Sequence, residues 1–231
     1  RAASTIQRAA RKVAAGKSKR SSTMSGRRSA KQIRRIALRD VEKKRFNTAL
    51  GSVILNGSQV ILLNGIAQGD DSNQRDGRTL TMKGLDCHVA ITPALATAIN
   101  TFGYWAVVLD KMPDQALPPA SEIYGGGVTD PILQARNATF LERFKVLKRE
   151  DFVVGPYGSG NSYNLKFYLN LDTILDSKDQ RVRFGSSAGT IAAMTANPLY
   201  FVYVPSNQAT MAPGSNYCYI AMECQLVFTD N

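Results

Sequence analysis

A single histidine, a single tryptophan and three cysteines are all that 231 residues supply of those types. No stretch approaches the roughly 18 consecutive apolar residues that a membrane span needs, so membrane insertion is not expected. The basic N-terminus lacks the apolar core of a secretory signal, and secretion is not expected either. Cys87, Cys218 and Cys224 are an odd number without a CxxC spacing, which argues against a zinc site or a disulfide framework and predicts buried free thiols. His88 lies in an apolar, strand-like run and reads as a satisfied structural side chain. Cys87 beside it points to the opposite face, so the two can neither form a nucleophilic pair nor share a metal. Gly16-Lys17-Ser18 ends like a phosphate-binding loop, but Arg11 stands where the opening glycine belongs and no strand precedes it. Gly125-Gly126-Gly127 and Gly158-Ser159-Gly160 read as turns. No catalytic residue is assigned, and no enzyme is expected.

What the chain does have is charge, unevenly placed. Residues 1–45 hold 16 Lys and Arg against two acids, Asp40 and Glu42, a net of +14. The other 186 residues hold 13 basic and 16 acidic side chains, a net of −3. A concentrated cationic run joined to a nearly neutral body makes a polyanion, most often nucleic acid, the expected partner. The candidate contacts are Arg8, Arg11, Lys12, Lys17, Lys19, Arg20, Arg27, Arg28, Lys31, Arg34, Arg35 and Arg39. Lys17 to Arg20 would serve nuclear entry as well as phosphate binding.

Two domains follow: a basic arm over 1–45 and a body over 46–231. In the arm, Ser4 can cap a short helix that Gly16 ends. Ile33, Ile36, Ala37 and Val41 recur at helical spacing among Lys and Arg, which predicts a basic amphipathic helix over about 29–45. Its apolar stripe is narrow and lacks aromatics, so a partner helix or phosphates suit it better than a membrane surface.

After Arg45 the texture changes to short runs rich in β-branched and aromatic residues, separated by Gly, Pro, Asn and Asp. Eight strands are predicted: Val53–Leu63, Arg78–Thr92, Phe102–Asp110, Arg143–Val154, Ser162–Leu171, Arg181–Phe184, Leu199–Val204 and Tyr217–Thr229. Only Pro118–Tyr124 and Asp130–Leu141 have weak helical character. Eight strands without alternating helices indicate an all-β, eight-stranded antiparallel sandwich or jelly roll. Trp105 or Tyr104 is expected to fill its core.

The oxygen-rich loop from Gly69 to Gly77 suits either solvated acids or a hard cation, and its spacing is not that of an EF-hand. It is also the most distinctive stretch of the chain. Leu63-Asn64-Gly65-Ile66-Ala67-Gln68-Gly69-Asp70-Asp71-Ser72-Asn73-Gln74-Arg75-Asp76-Gly77 resembles a segment of the coat protein of the satellite tobacco necrosis virus type, and of similar capsid proteins of small circular single-stranded DNA viruses. Glu42 to Phe46, Arg143 to Lys148 and Val227 to Asp230 support the resemblance in the same order.

The resemblance implies a jelly-roll capsid protein that self-assembles into a small T=1 icosahedral shell of sixty copies. Its basic arm would face inward onto a single-stranded RNA or DNA genome. The location would be the virion, with the host nucleus in play if the genome is DNA; no motif names a host-surface receptor. No cofactor is implied beyond structural calcium at subunit contacts. Its ligands would be the carboxylates of Glu42 and Asp230 and main-chain oxygens of Asp76 and Thr79, with Asp70 at a second site. Arg78 and Thr79 depart from the family's acid and amide. The alternative is a cellular nucleic-acid-binding protein with a β-sandwich body.

Overall fold

A computed structural model of the chain describes residues 42–55, 57–93, 100–125, 134–156, 158–205 and 218–230. The chain divides into two units, 1–42 and 43–231. The short helix after Ser4 and the helix expected over 29–45 lie outside the described residues as far as 41. The last three positions of that second helix are a correction: Lys43, Lys44 and Arg45 begin a strand. Lys44, Phe46, Thr48 and Leu50 alternate toward the interior while Arg45, Asn47 and Ala49 are exposed. A continuous antiparallel ladder then satisfies the backbone, and tertiary pairing overrides the local helical spacing.

Among the described residues ten strands follow in chain order: β1 (Lys43–Leu55), β2 (Gln59–Leu62), β3 (Thr79–Pro93), β4 (Thr101–Asp110), β5 (Phe144–Val154), β6 (Tyr163–Asn170), β7 (Arg181–Phe184), β8 (Met194–Ala196), β9 (Leu199–Pro205) and β10 (Cys218–Asp230). Two single-turn helices, α1 (Ala120–Ile123) and α2 (Leu171–Ile174), lie between them. One sheet runs β1-β10-β3-β7-β8, with β6 also paired to β3; the other runs β2-β9-β4-β5. Every strand pair is antiparallel. The chain crosses between the sheets at β1–β2, β2–β3, β3–β4, β5–β6, β8–β9 and β9–β10, and β10 returns to lie between β1 and β3. This is the jelly roll.

The two extra strands have simple causes. The expected Val53–Leu63 strand breaks between Leu55 and Gln59, so its halves belong to different sheets. The second is β8 (Met194–Ala196), a three-residue run too short to show a period, which becomes a strand by pairing with β7; β6 and β7 share the edge of β3, at residues 84–91 and 79–81.

The two sheets are buried differently. On β3 and β10, apolar side chains alternate with exposed Asp86, His88 and Glu223 on the outer face. His88 is therefore solvent-facing, which corrects the expectation of a satisfied structural histidine. By contrast, all seven residues of β9 are buried, as are nine of the ten in β4. Sheet β2-β9-β4-β5 has its inner face against the other sheet, while Ala120, Ile123 and Tyr124 pack against Tyr104, Ala106, Val108, Tyr200 and Val202 outside it. Trp105 and Tyr104 both fill cores, one on each face. Trp105 stacks on Phe167 at 4.8 Å and Phe201 at 5.8 Å, and its Nε1 donates to Tyr163 Oη at 3.1 Å.

The thiol expectation is also corrected. Cys87 and Cys224 occupy directly opposed positions on β3 and β10 and form a disulfide, leaving Cys218 as a buried free thiol. Residues 137 apart in sequence are brought face to face by strand register, which no local spacing reveals.

Replacing Trp105 with Ala removes the side chain at the centre of the inter-sheet stack. A loss of about 3–5 kcal/mol is expected, read as a lower urea midpoint. Burial also pushes the phenols of Tyr104, Tyr200 and Tyr203 well above their ordinary value. A raised folded-state value means stability that is full below about pH 10, where unfolded tyrosine titrates, and falls above it. Tyr200 Oη has no hydrogen-bond partner among the described residues. Tyr200→Phe should therefore keep or raise the urea midpoint at pH 7 and soften its decline between pH 10 and 11.

Candidate functional site

The distinctive loop leaves β2 at Leu62 and is fixed by main-chain and amide contacts before any of its acids is reached. Leu63 N donates to Leu199 O at 2.8 Å. The buried Asn64 side chain donates to Asn197 O at 3.0 Å and accepts from Leu199 N at 2.9 Å, acting as a two-pronged clamp on the turn before β9. At Gly65 an added Cβ would lie 2.4 Å from Gly189 O, so this approach admits only glycine. Gln68 N donates to Ser187 O at 2.9 Å, and Arg75 N reaches back to Ala67 O at 3.1 Å.

Arg75 is the centre of this arrangement. It is 0 % exposed, and its guanidinium lies over the Phe184 ring at 4.0 Å. Its Nε donates to Ile66 O at 2.9 Å, one terminal nitrogen to Gly77 O, and the other to Ser186 O at 2.5 Å. The rigid fork thus joins both limbs of the loop to the segment after β7. Burial lowers the Arg75 pKa from its ordinary value.

Beside it lie the expected calcium ligands. The ammonium of Lys44, the second residue of β1, stands 2.5 Å from Asp76 Oδ1 and 3.0 Å from Asp230 Oδ2. Lys44 is 7 % exposed and Asp76 63 %. The hydrogen bond to Asp76 raises the lysine above its ordinary value, against the opposing effect of burial. The main-chain oxygen of Asp76 already accepts from Gln68 Nε2 at 2.8 Å. Glu42 and Asp70 are exposed, and Thr79 is the first residue of β3, opposite Arg183. The structure therefore brings Asp76 and Asp230 together, with a lysine between them. Among the described residues no group of three or more His, Cys, Asp or Glu side chains is placed to hold a metal. Arg8, Arg11, Lys12, Lys17, Lys19, Arg20, Arg27, Arg28, Lys31, Arg34, Arg35 and Arg39 lie outside the described residues.

A second ionic centre was not legible in the sequence. Arg143 forks onto the fully buried Asp110 with contacts of 2.9–3.2 Å, and also reaches Asp114 and Glu122. It pins the long β4–β5 connection at its root. Hydrogen bonding to Asp110 pushes its pKa still higher. The only sequence signal was the Arg143-Phe144-Lys145 match, which gave no partner.

The chain thus joins a strongly basic N-terminal sequence to a two-sheet jelly roll whose β2–β3 loop is tightly held. The chain belongs to the satellite tobacco necrosis virus coat protein family, whose model matches residues 16–230. It is accordingly a structural capsid protein of a virion. No curated protein matches the chain closely enough to count as a relative. Among solved structures, that of Desmodium yellow mottle tymovirus is 15 % identical over 82 % of this chain and 86 % of its own, with a TM-score of 0.34. Turnip yellow mosaic virus gives 15 % identity over 82 % and 93 %, with a TM-score of 0.35. The human polyomavirus 6 VP1 pentamer gives 9 % over 82 % and 94 %, at 0.27. These superpositions are distant, and the fold assignment rests on the strand order.

Arg75→Met leaves three carbonyls without their donor. It should cost about 3 kcal/mol or more, measured by urea unfolding, whereas Asp71→Asn on the exposed rim of the same loop should stay within about 0.5 kcal/mol.

Proposed function

We propose that the protein forms a closed icosahedral shell of sixty copies, and that its arm packages a single-stranded genome by sequence-independent contact with phosphates. The observation that carries this reading is the partition of charge, +14 over residues 1–45 against −3 over the remainder. Evenly spread charge would make the shell surface generally adhesive. Concentrated at one end, it leaves the body free to pack against its copies while the arm neutralises polyanion. Sixty such arms carry roughly 840 positive charges, which suits a genome on the order of a thousand nucleotides.

Lysine and arginine contacts of this kind read no bases, so packaging follows charge and length. RNA and DNA both present the phosphates that the arm requires. A closed shell also gives the edges of β1, β2, β5, β6 and β8 a means of coverage that an isolated sandwich lacks.

Deleting residues 1–28 removes nine of the arm's 16 basic side chains. Nuclease-protected nucleic acid per particle should fall by about half or more, with the far-UV circular dichroism of the body retained. Unchanged nucleic-acid content in the shortened particles would refute the arm's role.

A further inference from the structure

We propose that the Lys44 ammonium takes the place of a divalent ion at the end of the shell domain, making the cohesion of this region independent of calcium. The family resemblance places calcium among Asp230, Asp76, Thr79 and Glu42, so the fit of these residues can be judged directly. The carboxylates of Asp76 and Asp230 converge on a single point, and Lys44 Nζ occupies it, at 2.5 and 3.0 Å. An ammonium and a metal ion cannot share that position.

The remaining donors do not make up the difference. Calcium takes six to eight oxygens at about 2.3–2.6 Å. The main-chain oxygen of Asp76 is engaged by the Gln68 side chain at 2.8 Å. Both carboxylate oxygens of Asp230 are buried, with no hydrogen-bond partner among the described residues. Their compensation is the charge of Lys44 at ion-pair distance, helped by the electrostatic attraction of the nearby Arg75. A dication brought to the same carboxylates would meet the lysine's own charge at contact range in a partly buried setting.

A lysine suits this position where a metal does not. Its ammonium is a compact point charge with three donors and no demand for a fixed coordination shell. Its stem leaves β1 at the position paired with Phe228 of β10, which is itself opposite Met82 of β3, so the methylenes run along apolar surface. The charge then ties together the beginning of β1, the end of β10 and the loop that carries Arg75. Both contacts are made within one protomer, so this proposal does not depend on the number of copies or on the genome.

The test uses full-length protein, with thermal midpoints measured in EDTA and in millimolar calcium chloride. The wild type should give the same midpoint in both. Lys44→Met should lower the midpoint in EDTA by roughly 4–8 °C, and calcium should restore part of the loss because two convergent carboxylates are set free. Asp76→Asn removes the exposed partner without disturbing the core, so it serves even if Lys44→Met does not fold. It should lower the midpoint equally with and without calcium. A wild-type midpoint that falls in EDTA and returns with calcium would overturn the proposal. So would an unchanged midpoint in either variant.

Discussion

A buried guanidinium with no carboxylate in hydrogen-bond contact organises the end of this molecule. Arg75 has left water, and its cost is offset by three main-chain carbonyls from three separate segments and by the face of Phe184. Because those carbonyls belong to Ile66, Gly77 and Ser186, the connection from β2 to β3 cannot shift without also disturbing the segment that follows β7. Asn64 performs the same task with an amide on the other side, gripping the residues that lead into β9. The loop's acids are thereby presented on a fixed frame. Lys44 and Asp230, at opposite ends of the shell domain's sequence, meet beside it.

This changes the meaning of the loop's sequence. Read as a string, Gly69 to Gly77 is rich in oxygen ligands and invites a cation. In the fold, the most constrained residues of the connection from β2 to β3 are Asn64, Gly65, Gln68 and Arg75, which hold backbone, while Asp70 and Asp71 are exposed. A motif that is strongly patterned in sequence can be an architectural knot, and its specificity then comes from hydrogen-bond geometry and close backbone approach.

Much of the sandwich was legible because strand periodicity and turn chemistry are local. The positions of β3 to β7, β9 and β10 follow from apolar runs bounded by Gly, Pro, Asn and Asp. The start of β1 was hidden, since Lys43, Lys44 and Arg45 continue a basic helical pattern and only pairing with β10 makes them strand. The Cys87–Cys224 bond, the exposure of His88 and the Arg143–Asp110 fork depend on which segments become neighbours, and that is decided by topology rather than spacing. The same holds for Lys44: it was counted in the net charge of the arm, yet register turns it inward to two carboxylates. The proposed division of labour between arm and body, in contrast, rests on the placement of charge in the sequence.

That division is the central claim, and the mass of the purified particle, followed by ultraviolet absorbance on the same fractions before and after RNase or DNase, tests it most directly. A megadalton species that retains nuclease-protected nucleic acid is the result expected of a coat protein whose cationic arm encloses its genome. A small species whose nucleic acid is fully digested would contradict it.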